Sequence, residues 1–138
     1  MIENNDTYKM YFDGCSKGNP GLAGAGAVIY KNDDEIWTQS KFIGKNETNN
    51  VAEYNGLIIG LEEAVHQNIK NLQVYGDSEL VIKQMNNLYK VKAEKLLPLF
   101  NKAKKLQTNF NSIQFQHIYR KDNARADHLS NIALNLCF

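Results

Sequence analysis

Four carboxylates stand in four separate segments of this sequence: Asp13, Glu53, Asp77 and Asp127. Two of the segments close alike, Tyr11-Phe12-Asp13 and Tyr75-Gly76-Asp77. In an extended chain a residue two positions after a tyrosine shares its face, so each aspartate continues one face at the carboxyl end of a strand. Ligands of open α/β sheets gather outside such ends, and neighbouring strands would bring both carboxylates within reach of one ion. Taken singly, either aspartate would serve equally well to end its strand in a solvated turn. Glu53 stands four residues before Leu57 and eight before Leu61, on the apolar stripe of a helix. A carboxylate aimed at a sheet is costly unless paired or metal-bound; the alternative is escape to solvent in the first turn, favoured by the helix dipole. Asp127 falls four residues after Asn123, a capping residue, in the first turn of a last helix. An oxygen-only donor set without clustered His or Cys suits a hard cation, Mg²⁺ or Mn²⁺. Two such ions held about 4 Å apart clamp the attacking and leaving oxygens of a phosphodiester displacement.

Positioning these groups requires particular elements. Tyr8 to Asp13 alternates, Gly24 to Tyr30 is a small-to-branched apolar run, and Glu35 to Ile43 mixes polar and β-forming residues. Turn signals at Gly14 through Gly21 and at Asn32-Asp33-Asp34 separate them, which predicts a three-stranded antiparallel meander. Tyr54, Leu57, Ile58, Leu61, Ala64 and Val65 recur at helical spacing between Asn50 and Asn68, behind Thr48 and Asn49 as caps. Leu72 to Gly76 reads as a strand, Ser78 caps a helix to about Met85, and a further helix runs from about Lys95 to Gln107 with Pro98 in its first turn. Ser112 to Arg120 reads as the last strand, and Asn123 caps a helix to about Leu136. The order β-β-β-α-β-α-α-β-α predicts a mixed α/β fold, a five-stranded sheet of three antiparallel and two parallel strands flanked by helices.

The 138 residues suit one domain with an ordinary globular composition, 43% hydrophobic and 22% charged. The net charge of +1 conceals a division. Residues 1–80 carry 6 Lys against 12 Asp and Glu, and residues 81–138 carry 10 Lys and Arg against 3 Asp and Glu. The acidic part contains Asp13, Glu53 and Asp77, and the basic part suits a polyanion. Asp127 crosses that division, so the site is expected where the two parts meet. Cys15 and Cys137 lack metal-type spacing and allow one disulfide or two thiols. No apolar run reaches the ~18 residues of a membrane span, and the polar start is unlike a signal peptide, so a cytoplasmic protein without a membrane partner is expected.

Four blocks, in order and at compatible spacing, resemble type 1 ribonuclease H across Tyr8 to about Leu136. They are Phe12 to Gly21, Thr48 to Tyr54, Gly76-Asp77-Ser78, and His117 to Asp127. The resemblance implies one ribonuclease H domain over residues 1–138, with that family's fold. It implies a monomeric endonuclease that cuts the RNA strand of RNA–DNA hybrids by two-metal-ion catalysis, leaving 3′-hydroxyl and 5′-phosphate ends. Asp13, Glu53, Asp77 and Asp127 match the family's ligands for two Mg²⁺ ions, with Mn²⁺ as substitute. Gly14, Cys15, Asn19, Asn49 and Asn50 match positions along the RNA strand, where short polar groups and close backbone read 2′-hydroxyls. Thr48 matches a position near a DNA-strand phosphate.

The chain departs from the best-known bacterial members in two places. The segment from Asn86 to Lys92 is short where they carry an extra helix and a basic handle, so the chain resembles the compact branch. Tyr89, Lys90 and Lys92, with Lys95, Lys102, Lys104 and Lys105, are candidates for backbone contact, a solvated lysine face being the alternative. The loop before Asn123 is short where those members carry a flexible histidine that assists product release. His117, ten residues before Asp127, could match that histidine, but alternation puts it inside the last strand, where a structural role is favoured. Arg120 at the strand end is then the group to hold the scissile phosphate, with a guanidinium that does not titrate near neutrality. Gly21 to Gly26 resembles a dinucleotide loop read backwards, but it precedes a strand rather than a helix, so turns and close packing are expected there. Another nuclease of the same superfold, or an idle hybrid-binding module, is the alternative; the second would normally have lost a carboxylate.

Overall fold

The computed structural model describes residues 6–136. The elements are β1 (Tyr8–Lys17), β2 (Gly21–Lys31), β3 (Asp34–Glu47), α1 (Asn49–His66), β4 (Asn71–Gly76), α2 (Glu79–Met85), α3 (Leu97–Gln107), β5 (Ser112–His117) and α4 (Ala124–Ala133). Single 3₁₀ turns cover Arg120–Asp122 and Leu134–Leu136. The sheet order is β3-β2-β1-β4-β5, with β1, β2 and β3 antiparallel and β1, β4 and β5 parallel. This is the predicted mixed sheet with helices on its faces. No helix among the described residues is long and apolar enough to cross a membrane.

Alternation divides β1 between two faces. Met10 and Phe12 are fully buried beneath α1, whose Tyr54, Leu57, Leu61 and Ala64 are equally buried. Lys9, Tyr11 and Asp13 point to the opposite face, where the Tyr11 ring stacks on Tyr75 at 4.9 Å and meets Tyr30 edge-on at 5.7 Å. The second face is covered in part by α4, which closes on β2 because Gly24 and Gly26 have no Cβ. One built there would lie 2.5 Å from Ser130 O and 2.6 Å from Leu129 Cβ. The glycine run is therefore a packing surface within β2, as expected from its place before a strand.

Several boundaries differ from expectation: β2 begins at Gly21 rather than Gly24, β3 runs on to Glu47 rather than Ile43, and α4 ends at Ala133, short of Leu136. β1 continues through Lys17, so Asp13 lies inside the strand rather than at its end. The strand is carried past its last alternating residues by pairing with β2, Gly14 opposite Ala25 and Lys17 opposite Leu22. The parallel ladder with β4 nevertheless stops at Phe12 opposite Gly76, so Asp13 and Asp77 both follow its last pair. β5 ends at His117, which removes Arg120 from the strand and puts it in the 3₁₀ turn. α3 begins at Leu97 rather than Lys95, with Pro98 in its first turn as expected. Asn123 occupies the N-cap position of α4, but its side chain makes no capping hydrogen bond.

Candidate active site

The carboxylates meet because three elements converge. β1 supplies Asp13, α1 supplies Glu53 from its first two turns, and the turn after β4 supplies Asp77. One oxygen from each lies within 4.8 Å of the other two. Thr48 Oγ1 accepts the Val51 N–H at 3.2 Å, which starts α1 at the register that turns Glu53 inward. α1 and β1 touch closely at this point: a Cβ on Gly14 would stand 2.2 Å from the Ala52 carbonyl carbon and 2.3 Å from Glu53 N. Asp13 is 4% exposed and Glu53 7%, so the apolar-stripe reading of Glu53 is the one the fold adopts. Asp127 joins from the first turn of α4, one-third exposed, with Arg120 Nη2 3.8 Å from its Oδ1. Arg120 itself is 82% exposed.

These groups line one cleft of about 430 Å³, together with Gly14, Cys15, Ser16, Asn49, Asn50 and Ser78. Burial pushes the Asp13 carboxyl up to about 7; the Glu53 hydrogen bond and the Gly14 amide oppose the rise, and Asp77 and Asp127 add to it. Burial likewise holds Glu53 well above its ordinary range, with the charge of Asp13 the next cause. The Gly14 amide donates to Asp13 Oδ1 at 2.9 Å, whereas Glu53 Oε2 is buried with no hydrogen-bond partner among the described residues. No Lys or Arg pairs with Asp13, Glu53 or Asp77 among the described residues. Crowded oxygens, a buried carboxylate atom without a partner and no basic side chain paired with Asp13, Glu53 or Asp77 among the described residues make a hard divalent ion the fitting occupant.

Of the residues expected along the RNA strand, Gly14, Cys15, Asn49 and Asn50 line the cleft with the carboxylates, and Asn19 does not but is tied to Asn49. Asn49 Oδ1 accepts the Ser16 N–H at 2.7 Å, and the Asn49 N–H donates to Asn19 Oδ1 at 3.0 Å. The β1–β2 turn is thereby tied to the start of α1. Ser16, whose Oγ donates to Glu47 O at 2.6 Å, was not singled out from sequence, because nothing local marks it. Cys15 Sγ lies 3.5 Å from Ser130 O; Cys137 is outside the described residues, so the question of their pairing is too.

Tyr89, Lys90 and Lys92 do not line the cleft. Tyr89 follows α2, with its hydroxyl 3.3 Å from Lys83 Nζ and the same ammonium 5.0 Å from its ring centroid. Two lysines of α3 are engaged elsewhere: Lys102 pairs with Glu62 at 3.4 Å, and Lys104 donates to Met85 O at 2.7 Å, at the end of α2. His117 contacts the Asp77 carbonyl at 3.3 Å rather than its carboxylate. Asn123, read from sequence as a cap alone, donates to Asp77 Oδ2 at 3.3 Å; its only sequence signal was its place four residues before Asp127.

Comparison with known proteins bears on the family and the fold. A family model described as reverse transcriptase-like matches residues 11–133. A bifunctional protein of Mycobacterium tuberculosis is 43% identical over 124 residues, 89% of this chain and 34% of that protein. The chain thus spans about a third of the length of that curated relative. RNase H1 from the halophilic archaeon Halobacterium salinarum superposes with a TM-score of 0.89 at 36% identity, covering 95% of this chain and 99% of that one. LC11-RNase H1, solved in complex with an RNA/DNA hybrid, superposes with a TM-score of 0.87 at 38% identity, covering 94% and 98%.

Proposed function

The chain belongs to the ribonuclease H family, and from that premise we propose that it hydrolyses the RNA strand of RNA–DNA hybrids, leaving 3′-hydroxyl and 5′-phosphate ends. One observation carries the reading: the crowded carboxylates share a single cleft with Gly14, Cys15, Asn49 and Asn50. A metal site and a surface for 2′-hydroxyls therefore adjoin.

Asp13, Glu53, Asp77 and Asp127 would hold the metal, Mg²⁺ or Mn²⁺, as two ions in the catalytic state. When bound, such ions supply an attacking water of lowered pKa and positive charge against the departing ribose oxygen. The chain's own contribution is placement. β1, α1 and the turn after β4 hold their carboxylates before substrate arrives, so little reorganisation accompanies the reaction. Asn49, fixed through Asn19 and Ser16, offers a rigid edge to the RNA strand, and Asn50 and the close backbone at Gly14 extend it. Thr48 keeps a hydroxyl hydrogen for a DNA-strand phosphate while its oxygen caps α1. Arg120 reaches from the rim with a charge that does not change near neutrality, suited to the scissile phosphate. Tyr89, Lys90 and Lys92 would extend the contact along the backbone beyond the cleft. One chain contributes every carboxylate, which supports a single domain acting as a monomer.

The reading is tested by incubating a labelled RNA–DNA hybrid, double-stranded DNA and double-stranded RNA with the protein in Mg²⁺, Mn²⁺ or EDTA. The RNA strand of the hybrid is expected to be cut only with metal. Cutting in EDTA, or equal cutting of double-stranded DNA, would overturn it.

A further inference from the structure

Asn123 is 1% exposed, one of the few buried polar side chains among the described residues. Its place directly before α4 is the one at which asparagine normally turns its side-chain oxygen onto the first amides of a helix. It does not do so here. The amide nitrogen points instead at the sheet, where it donates to Phe12 O at 2.9 Å and to Asp77 Oδ2 at 3.3 Å. The Phe12 carbonyl can only accept, which settles the orientation of the amide. Its Oδ1 is left buried with no hydrogen-bond partner among the described residues. The chain thus gives up a cap and leaves a carbonyl unsatisfied in order to keep two donors on these two acceptors.

The two acceptors belong to the metal site. Phe12 O is the carbonyl of the peptide that leads into Asp13, at the last rung of the β1–β4 ladder. Asp77 Oδ2 is one of only two oxygens on that carboxylate, and fixing it leaves the other directed by the same contact. The backbone of Asn123 reaches a third ligand, since its carbonyl accepts the Asp127 N–H at 3.0 Å. One residue therefore touches the strand of Asp13, the side chain of Asp77 and the backbone of Asp127. A lysine or arginine there would also restrain Asp77, but it would offset the negative charge a cation needs. Serine or aspartate would cap the helix but lacks two donors. A neutral amide alone restrains the carboxylate without competing for it.

We propose that Asn123 is a positioning residue for the metal-binding carboxylates, holding Asp77 and the start of α4 against β1; the inference rests on the metal-dependent reading of the cleft. Residues that orient a ligand without touching the metal change metal affinity or turnover by about 10–100-fold when removed. The test uses the full chain with Asn123→Ala and with Asn123→Ser, which can supply the helix N-cap that Asn123 forgoes should alanine impair folding. Mn²⁺ alone is titrated into the hybrid-free protein and followed by electron paramagnetic resonance, and kcat and KM for a hybrid are measured on the same samples. The folded variants are expected to need about tenfold more Mn²⁺ at the midpoint and to lose kcat, with KM within about twofold of wild type. A purely structural role would lower the unfolding midpoint and leave the Mn²⁺ midpoint and kcat of the folded protein unchanged, which would overturn the proposal. Should wild type fail to cut hybrids, the hydrolase reading fails, while the Mn²⁺ titration still decides the role of Asn123.

Discussion

Replacing Asp13 by asparagine should make the metal-free protein more stable, and by an amount that depends on pH. Asp13 is 4% exposed and burial pushes its carboxyl from 3.8 to about 7, whereas in the unfolded chain it titrates near ~3.9. A carboxyl raised in the folded state contributes stability that is complete below about pH 4 and is lost as pH rises through about 7. At roughly 1.4 kcal/mol per unit, full ionisation in the fold costs about 4 kcal/mol. Asparagine carries no charge, keeps nearly the same shape and retains an oxygen for the Gly14 amide that Asp13 Oδ1 now accepts at 2.9 Å. Removing the charge also relieves Glu53, whose raised carboxyl owes its second-largest contribution to Asp13. Urea unfolding in EDTA should therefore show Asp13→Asn more stable than wild type by about 4 kcal/mol at pH 8.5, near 10 °C in Tm, with the gap falling to about 1 kcal/mol at pH 4.5. Mg²⁺ added at pH 8.5 should raise the Tm of wild type by mass action and leave the variant unmoved. A stability gap independent of pH, or a wild type more stable than the variant at pH 8.5, would refute the reasoning.

Other substitutions separate the roles of neighbouring residues. Arg120→Ala should lower kcat at least about tenfold with little change in KM, because an exposed guanidinium is spent on charge developed in the transition state; steady-state kinetics with equal kcat would return it to the surface. Gly14→Ala should destabilise the fold by about 3 kcal/mol in a denaturant titration, since a Cβ 2.2 Å from the Ala52 carbonyl carbon forces β1 and α1 apart where Asp13 and Glu53 meet. Lys104→Met should leave the KM for hybrid unchanged and cost about 1 kcal/mol of stability, because its ammonium already caps the Met85 carbonyl at 2.7 Å.

The site was legible in sequence wherever a local period carried the information. Period two put Asp13 and Asp77 on the faces of their tyrosines, and the register confirms it, with Tyr11 opposite Tyr75. Helical spacing put Glu53 against the sheet despite its charge. Asp127 had no such signal, because a carboxylate in a first helical turn looks like a surface residue, and only the family resemblance marked it. What tertiary contact decides was not readable. β1 runs four residues past Asp13 because β2 supplies partners for it, although Gly14 to Lys17 carries turn-forming residues. Asn123 reads locally as a cap, and its diversion to Phe12 and Asp77 depends on residues 111 and 46 positions away. The lysines of α3 read as one basic face, yet Lys104 turns inward to the end of α2 and Lys102 to Glu62. The division between acidic and basic parts proved informative in one respect: Asp127 and Arg120 from the basic part line the same cleft as the three acidic-part carboxylates.

The most direct measurement compares wild type with Asp77→Asn on an RNA–DNA hybrid whose RNA strand carries the label, in Mg²⁺, with hybrid binding measured in parallel. The account predicts that wild type cuts the RNA strand alone, and that the variant still binds the hybrid but cuts at least about a thousandfold more slowly, as loss of a ligand from a catalytic metal site requires. A variant that cuts at a rate near wild type would contradict the central claim that these carboxylates carry the chemistry.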